Sequence, residues 1–220
     1  MEESKMAESD NSKDLISVLW SGADILRSKM DANEYKDYLL GIVFYKYLSD
    51  SFLIKVYDLI YDEKPDSLNT ALDAYKEALA DESAEELKEQ IKSECHYVIE
   101  PELTYTCFAD AARNNSFNRE QLQKAFNNIE QSDPLFADLF TDIDLYSNRL
   151  GTGDQKQSDT ISSLIKEIDK ADLLNSDSDV LGNAYEYLIG QFASETGKKA
   201  GEFYTPQAVS KILTKIAIAG

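Results

Sequence analysis

The sequence predicts a mostly α protein, a helical bundle-like domain followed by the first helices of a second domain. Hydrophobic residues at 43% provide for a buried core, while nine Gly and four Pro in 220 residues leave few of the punctuation points that a strand-and-turn architecture needs. Apolar residues also recur three and four positions apart over long runs, the period of one helix face.

Residues 1–11 are polar and mixed in charge without apolar periodicity, and a disordered start is expected there. Ser12 offers an N-cap hydroxyl, and Leu15, Leu19, Gly22 and Leu26 then repeat at helical spacing, so a first helix is expected to about Lys29. From Glu34 to Tyr61 the chain is apolar almost all round, as in the central helix of a bundle, and its tyrosine hydroxyls need partners or the rim. The acidic stretch Asp62 to Glu94 holds two amphipathic patterns, Leu68-Leu72-Tyr75-Leu79 and Leu87-Ile91. Ser83 and Glu86 are spaced as a capping box for the second. Charge runs of this kind usually mark water-facing helices; an acidic partner-binding face is the alternative.

Tyr97-Val98-Ile99 before Pro101 predicts a short extended piece, and Leu103 to Phe108 is expected to continue it or pair with it. Asn118 caps a predicted helix through Leu122, Ala125, Phe126 and Ile129, and Asp133-Pro134 restarts a short one through Leu139. Gly151 to Gln157 is the clearest linker. Beyond it Ser158 to Leu174 is predicted helical, with Ile161, Leu164, Ile165 and Ile168 on one face. Asn175 to Asp179 then interrupts the pattern before a further helix with Leu181, Tyr185, Leu188, Ile189 and Phe192.

A net charge of −19 and a pI near 4.4 set the polypeptide as a whole against the phosphate backbone, which argues against autonomous tight nucleic-acid binding. Two cysteines, Cys95 and Cys107, are too few for a disulfide framework, and no positively charged, apolar-cored leader opens the sequence; a cytoplasmic protein with free thiols is expected. The most apolar stretch, Tyr38 to Leu48, falls short of the roughly 20 residues that a membrane span requires, so no membrane association is expected.

Most candidate motifs have plain structural explanations. Asp133-Pro134-Leu135-Phe136 superficially resembles the acid-Pro-Pro-aromatic loop of amino-group methyltransferases, but it lacks the second proline and joins two predicted helices; Pro134 at a first helical turn accounts for it. Gly151-Thr-Gly153 has no preceding strand and no third glycine, which fails the context of a phosphate cradle. Cys95-His96 and Cys107 do not match common zinc spacings, and with a single histidine no Ser-His-acid arrangement is persuasive, so neither a metal site nor a catalytic residue is assigned.

The segment Glu202-Phe203-Tyr204-Thr205-Pro206-Gln207 stands apart. Thr205 is placed to cap a helix beginning at Pro206, whose missing N–H costs nothing at a first helical position. Phe203 and Tyr204 then stand just outside a helix N-terminus, beside the pattern of Val209, Ile212, Leu213 and Ile216.

The runs Asp179 to Ile189 and Gly197 to Pro206 resemble the modification subunit of type I restriction-modification systems. Trp20, the segment Tyr38 to Leu48 and Phe117-Asn118 are similar to that family's helical domain. The resemblance implies an adenine-N6 DNA methyltransferase using S-adenosylmethionine, with cofactor contacts from Glu202, Phe203, Tyr204, Thr205, Pro206 and Gln207. It also implies assembly with a specificity subunit, a second modification subunit and in some systems a restriction subunit, with DNA met through the assembled complex. Ala200 departs from the pattern, where glycine is common. The family's glycine-rich cofactor loop and its Asn-Pro-Pro-aromatic catalytic loop are both absent and are expected after Gly220. The expected organisation is therefore a helical domain at 12–177 and, at 178–220, the beginning of a truncated Rossmann-like methyltransferase domain, inactive by itself. A stand-alone helical adaptor that binds protein partners is the alternative.

Overall fold

The computed structural model describes residues 2–174, Gly182 and residues 207–219. Its helices are α1 (Glu2–Arg27), α2 (Ala32–Tyr61), α3 (Leu68–Leu79), α4 (Ala84–Cys95), α5 (Tyr105–Arg113), α6 (Arg119–Ser132), α7 (Asp154–Ile168) and α8 (Gln207–Ala219), with 3-10 turns at Pro101–Leu103 and Pro134–Phe136. No strand occurs among the described residues, as the mostly α expectation requires.

The arrangement is organised around α2, whose 30 residues extend about 45 Å at 1.5 Å per residue. It packs against α1, α3, α4, α5 and α7, while α1 and α5 also pack on α7. Tyr35, Leu39, Ile42, Tyr45, Phe52 and Val56, which line one broad stripe of the helix, are all at most 1% exposed. Its start is held by Asp31, whose backbone N–H donates to Glu34 Oε2 at 3.3 Å. Its end turns at Asp62, which adopts the left-handed conformation.

Aromatic residues fill the space beside it. Phe126 and Phe140 stack at 4.2 Å, with Tyr45 edge-on to Phe126 at 5.5 Å; Phe52 meets Tyr75 at 5.5 Å and Tyr97 at 5.9 Å. Such pairs add about 0.5–1.5 kcal/mol each beyond simple area burial. The hydroxyls of this core mostly find backbone acceptors: Tyr38 donates to Asp144 O at 2.7 Å, Tyr45 to Leu103 O at 2.6 Å, Tyr97 to Leu48 O at 3.0 Å and Tyr105 to Ile165 O at 2.9 Å. Each bond ties a separate segment to a fixed register on the bundle. Gly41 matters sterically, because a Cβ there would stand 1.9 Å from Ile143 Cδ1, where the 137–153 segment lies against α2.

Four expectations are corrected. The start at 1–11, expected to be disordered, continues α1 back to Glu2; it contains neither Gly nor Pro, and the packed turn at Leu15 supplies a nucleus that each further residue only extends. The segment expected to be extended around Leu103 to Phe108 is instead helical from Tyr105. Thr104 caps it by accepting from Cys107 N at 3.4 Å, and Tyr105, Phe108, Ala109 and Ala112 form one buried stripe. Aromatic and β-branched content suggested a strand, and tertiary burial of an i, i+3, i+4, i+7 face overrides it. The linker shrinks to residues 151–153, since α7 begins at Asp154 and Gln157 is buried. Ser83, proposed for a capping box, makes no side-chain cap bond, although α4 does begin after it.

In the covered middle of α2, Lys46 Nζ lies 2.5 Å from Asp50 Oδ2, with both side chains at most 5% exposed. Removing one partner of such a pair strands the other charge in the interior. Lys46→Met is expected to lower unfolding stability by about 3–5 kcal/mol in urea titrations, whereas Lys46→Met with Asp50→Leu should return close to the starting stability; equal losses in the single and double variants would contradict this reading.

Candidate functional site

Of the six residues expected to meet a cofactor, Glu202, Phe203, Tyr204, Thr205 and Pro206 lie outside the described residues, and Gln207 is the first residue of α8. The expected helix through Leu181 and Phe192 also lies outside the described residues, Gly182 excepted.

Helix α8 has an unusual surface. Val209, Ile212, Leu213 and Ile216 fall at i, i+3, i+4 and i+7, and these residues with Ile218 are 45 to 80% exposed. Val209, Ile212, Leu213 and Ile216 form one apolar face of the kind that partners normally cover, and Ile218 lies on the opposite side of the helix. Its Thr214 Oγ1 donates locally to Ser210 O at 2.9 Å.

The helical domain has a second notable locality, around Lys46 and Asp50. A cleft of about 730 Å³ passes between α2, the turn before α3 and the segment after α7, and an adjoining cavity of about 240 Å³ continues beneath α5. Lys46, Asp50, Ser67, Leu68 and Asp169 line both. Lys46 Nζ also sits 5.1 Å from the Tyr105 ring, and Tyr105 N donates to Ser49 Oγ at 2.7 Å. Burial pushes the Asp50 carboxyl up to about 6, against the pull of Lys46, and Asp169 and Asp172 push in the same direction as burial. The sequence reading of Glu34 to Tyr61 as an apolar central helix does not pick out Lys46 and Asp50. Their i, i+4 spacing was the available signal.

The remaining candidates resolve simply. Asp133 Oδ1 accepts from Leu135 N at 2.9 Å, Pro134 opens a 3-10 turn, and Phe136 packs edge-on to Tyr97 at 5.5 Å, so this segment is a capped turn. Both cysteines are free and half-buried, and burial raises the Cys95 thiol, which disfavours a thiolate. Among the described residues no group of three or more His, Cys, Asp or Glu is placed to hold a metal. No helix among them is long and apolar enough to cross a membrane. Arg119 is buried, at 5% exposed. It bonds Gln157 and Asp154 and lies 4.2 Å over the Tyr146 ring, while Gln157 donates to Tyr146 O at 3.0 Å.

Two family models match the sequence, the HsdM N-terminal domain over residues 15–168 and the N-6 DNA Methylase over residues 176–219. A solved type I restriction-modification system methyltransferase subunit from Streptococcus thermophilus is 48% identical, with a TM-score of 0.86 over 95% of this chain and 44% of its own. The type I restriction enzyme MpnII methylase subunit of Mycoplasma pneumoniae is 30% identical over 91% of this chain and 38% of its own length. The MjaVIII methylase subunit of Methanocaldococcus jannaschii is 31% identical over 93% and 32%. The chain therefore spans about a third of the length of these curated relatives.

The raised Asp50 carboxyl has a definite sign. The folded state holds this proton more tightly than the unfolded chain does, so the stability it contributes is full below the ordinary carboxylate range and is lost as pH rises through about 6. Urea midpoints between pH 4 and 8 are expected to show this loss in the native sequence and a flatter profile in Asp50→Asn; parallel profiles would remove Asp50 as its source.

Proposed function

From the premise that this chain belongs to the HsdM N-terminal domain family of type I methylase subunits, we propose that its parent polypeptide transfers a methyl group from S-adenosylmethionine to adenine N6 in DNA. The observation that carries the reading is the match of residues 176–219 to the N-6 DNA Methylase model, directly after the helical part and across the Glu202 to Gln207 segment. A division into a helical domain at 12–177 and the beginning of a methylase domain at 178–220 follows from the same premise.

In this reading Glu202, Phe203, Tyr204, Thr205, Pro206 and Gln207 form one wall of the cofactor pocket. The chemistry of the segment suits that task. Phe203 and Tyr204 offer flat apolar surfaces to an adenine ring, Glu202 offers a carboxylate to hydroxyl or ammonium donors, and a helix start at Gln207 presents backbone N–H groups to a carboxylate. Bound S-adenosylmethionine would supply the electrophilic methyl group. The apolar face of α8 would be covered by the rest of the methylase domain, consistent with relatives about three times as long.

The chain contains no Asn-Pro-Pro-aromatic run, and its formal charge of −19 opposes direct DNA contact by most of its surface. We assign base flipping and amine capture to residues outside these 220. Recognition of sequence belongs to a specificity subunit in a cytoplasmic assembly with a second modification subunit and, where present, a restriction subunit.

The test uses the longer polypeptide. Tyr204→Ala is expected to weaken S-adenosylmethionine affinity by about tenfold or more, the loss of an aromatic face, with the thermal transition of the helical domain unchanged. Unaltered affinity would contradict the assigned wall.

A further inference from the structure

A groove of about 440 Å³ runs between α3 and α4, away from the Lys46 cleft. Ala74, Glu77, Ala78 and Asp81 recur at i, i+3, i+4 and i+7 along α3 and the turn after it, and Ser83, Glu86, Leu87 and Gln90 repeat that spacing into α4. The last turn of α2 adds Leu59, Ile60 and Tyr61. Leu59, Ile60, Ala78 and Leu87 are only half-buried, and Tyr61 is 48% exposed, so the floor is apolar and open. The volume falls within the range of about 300–1,000 Å³ found for binding pockets. At 12 residues each, α3 and α4 extend about 18 Å, enough to lie along about three turns of a docked helix.

The charges along this groove have one sign. Glu77, Asp81 and Glu86 line it, and no Lys or Arg does. Among the described residues none of these three carboxylates forms an ion pair, whereas Asp50 and Asp169 in the other cleft are each bonded to a cation. Lys76 and Lys88, on the same two helices, pair instead with Asp73 at 3.5 Å and with Glu85 at 3.9 Å and Glu100 at 3.7 Å. Asp81 accepts from Glu82 N at 2.6 Å and Glu86 stands in the first turn of α4, where a helix start favours it; Glu77 has neither. The last turn of α2, which lines the same groove, carries no basic residue to meet its carbonyl end. Nucleic acid and anionic lipid are repelled by such an edge. A neutral apolar segment would cover the floor and leave the carboxylates desolvated, and a free polyamine would meet the rim and leave the floor open. A helix with cationic residues flanking an aliphatic stripe satisfies both.

We propose that the α3–α4 groove docks a basic amphipathic helix of a partner protein. Its aliphatic side chains lie on Leu59, Ile60, Ala78 and Leu87, and its lysine or arginine side chains meet Glu77, Asp81 and Glu86. The groove is built from residues 59–90 alone and does not depend on the methylase reading.

Amide chemical-shift titration of the 220-residue chain near neutral pH tests it. The probe is a helical peptide of about 18 residues, five turns, made of alanine, leucine and lysine with the leucines on one face. Saturable shifts at Ala74, Ala78, Ser83 and Leu87 are expected, weakening as salt is raised. An isomer with its leucines spread around the helix, and spermine, which has charge without an apolar face, should give no saturable shifts there. Glu77→Lys with Glu86→Lys should lower affinity by about tenfold or more, and Ala78→Phe, which fills the floor, by a similar factor. All three positions face the groove from outside the core, so melting temperatures should hold, and either variant decides the question if the other does not fold. No saturable shift with the amphipathic peptide, equal shifts with the isomer or spermine, or undiminished binding by folded Ala78→Phe would overturn the proposal. So would self-association of the chain through these same residues, which would make a second copy the occupant.

Discussion

Polar groups in the covered part of a helix must be satisfied inside the protein, and much of this structure follows from that constraint acting on α2. Its most covered stretch carries Lys46, Ser49 and Asp50 among large apolar residues. Lys46 and Asp50 meet each other one turn apart, Ser49 accepts the first backbone N–H of α5, and Leu48 O accepts the Tyr97 hydroxyl. These bonds set where neighbouring elements start and at what height they lie along α2. Apolar contact alone would define their positions less sharply, because burial is not directional. The same constraint leaves a residue: Asp50 has two acceptor oxygens, and the helix spacing supplies a donor to only one.

The surface is divided differently. Helices α3 and α4 bury Ala71, Leu72, Tyr75 and Ile91 toward the bundle and turn acidic faces to water. That acidity opposes contact with a phosphate backbone over these faces. Helix α8 has the opposite character, an aliphatic face with little of its area covered. The helical domain has a core of its own, whereas the aliphatic face of α8 is exposed among the described residues.

Much of this was legible in the sequence, for identifiable reasons. The all-round apolar pattern from Glu34 to Tyr61 fixed the central helix, since no other role buries every face. A side-chain cap located one more boundary, with Asn118 accepting from Glu120 N at 2.8 Å. Patterns failed where polarity and exposure parted company. Gln157 and Arg119 are polar and buried, bonded to each other across 38 positions, and local sequence does not encode such a partnership. Tyr105 to Phe108 has strand-like composition, yet its packing on α2 and α7 selects a helix. The cofactor segment was legible only through a resemblance, because a capped helix start has the same residues whether or not a ligand lies against it.

The central claim is that these 220 residues hold one wall of a cofactor pocket and a complete helical domain in front of it. Calorimetric titration of this chain and of the longer polypeptide with S-adenosylmethionine tests it most directly. The account predicts saturable binding by the longer polypeptide and no detectable heat of binding from the chain alone; micromolar binding by the chain alone would contradict it.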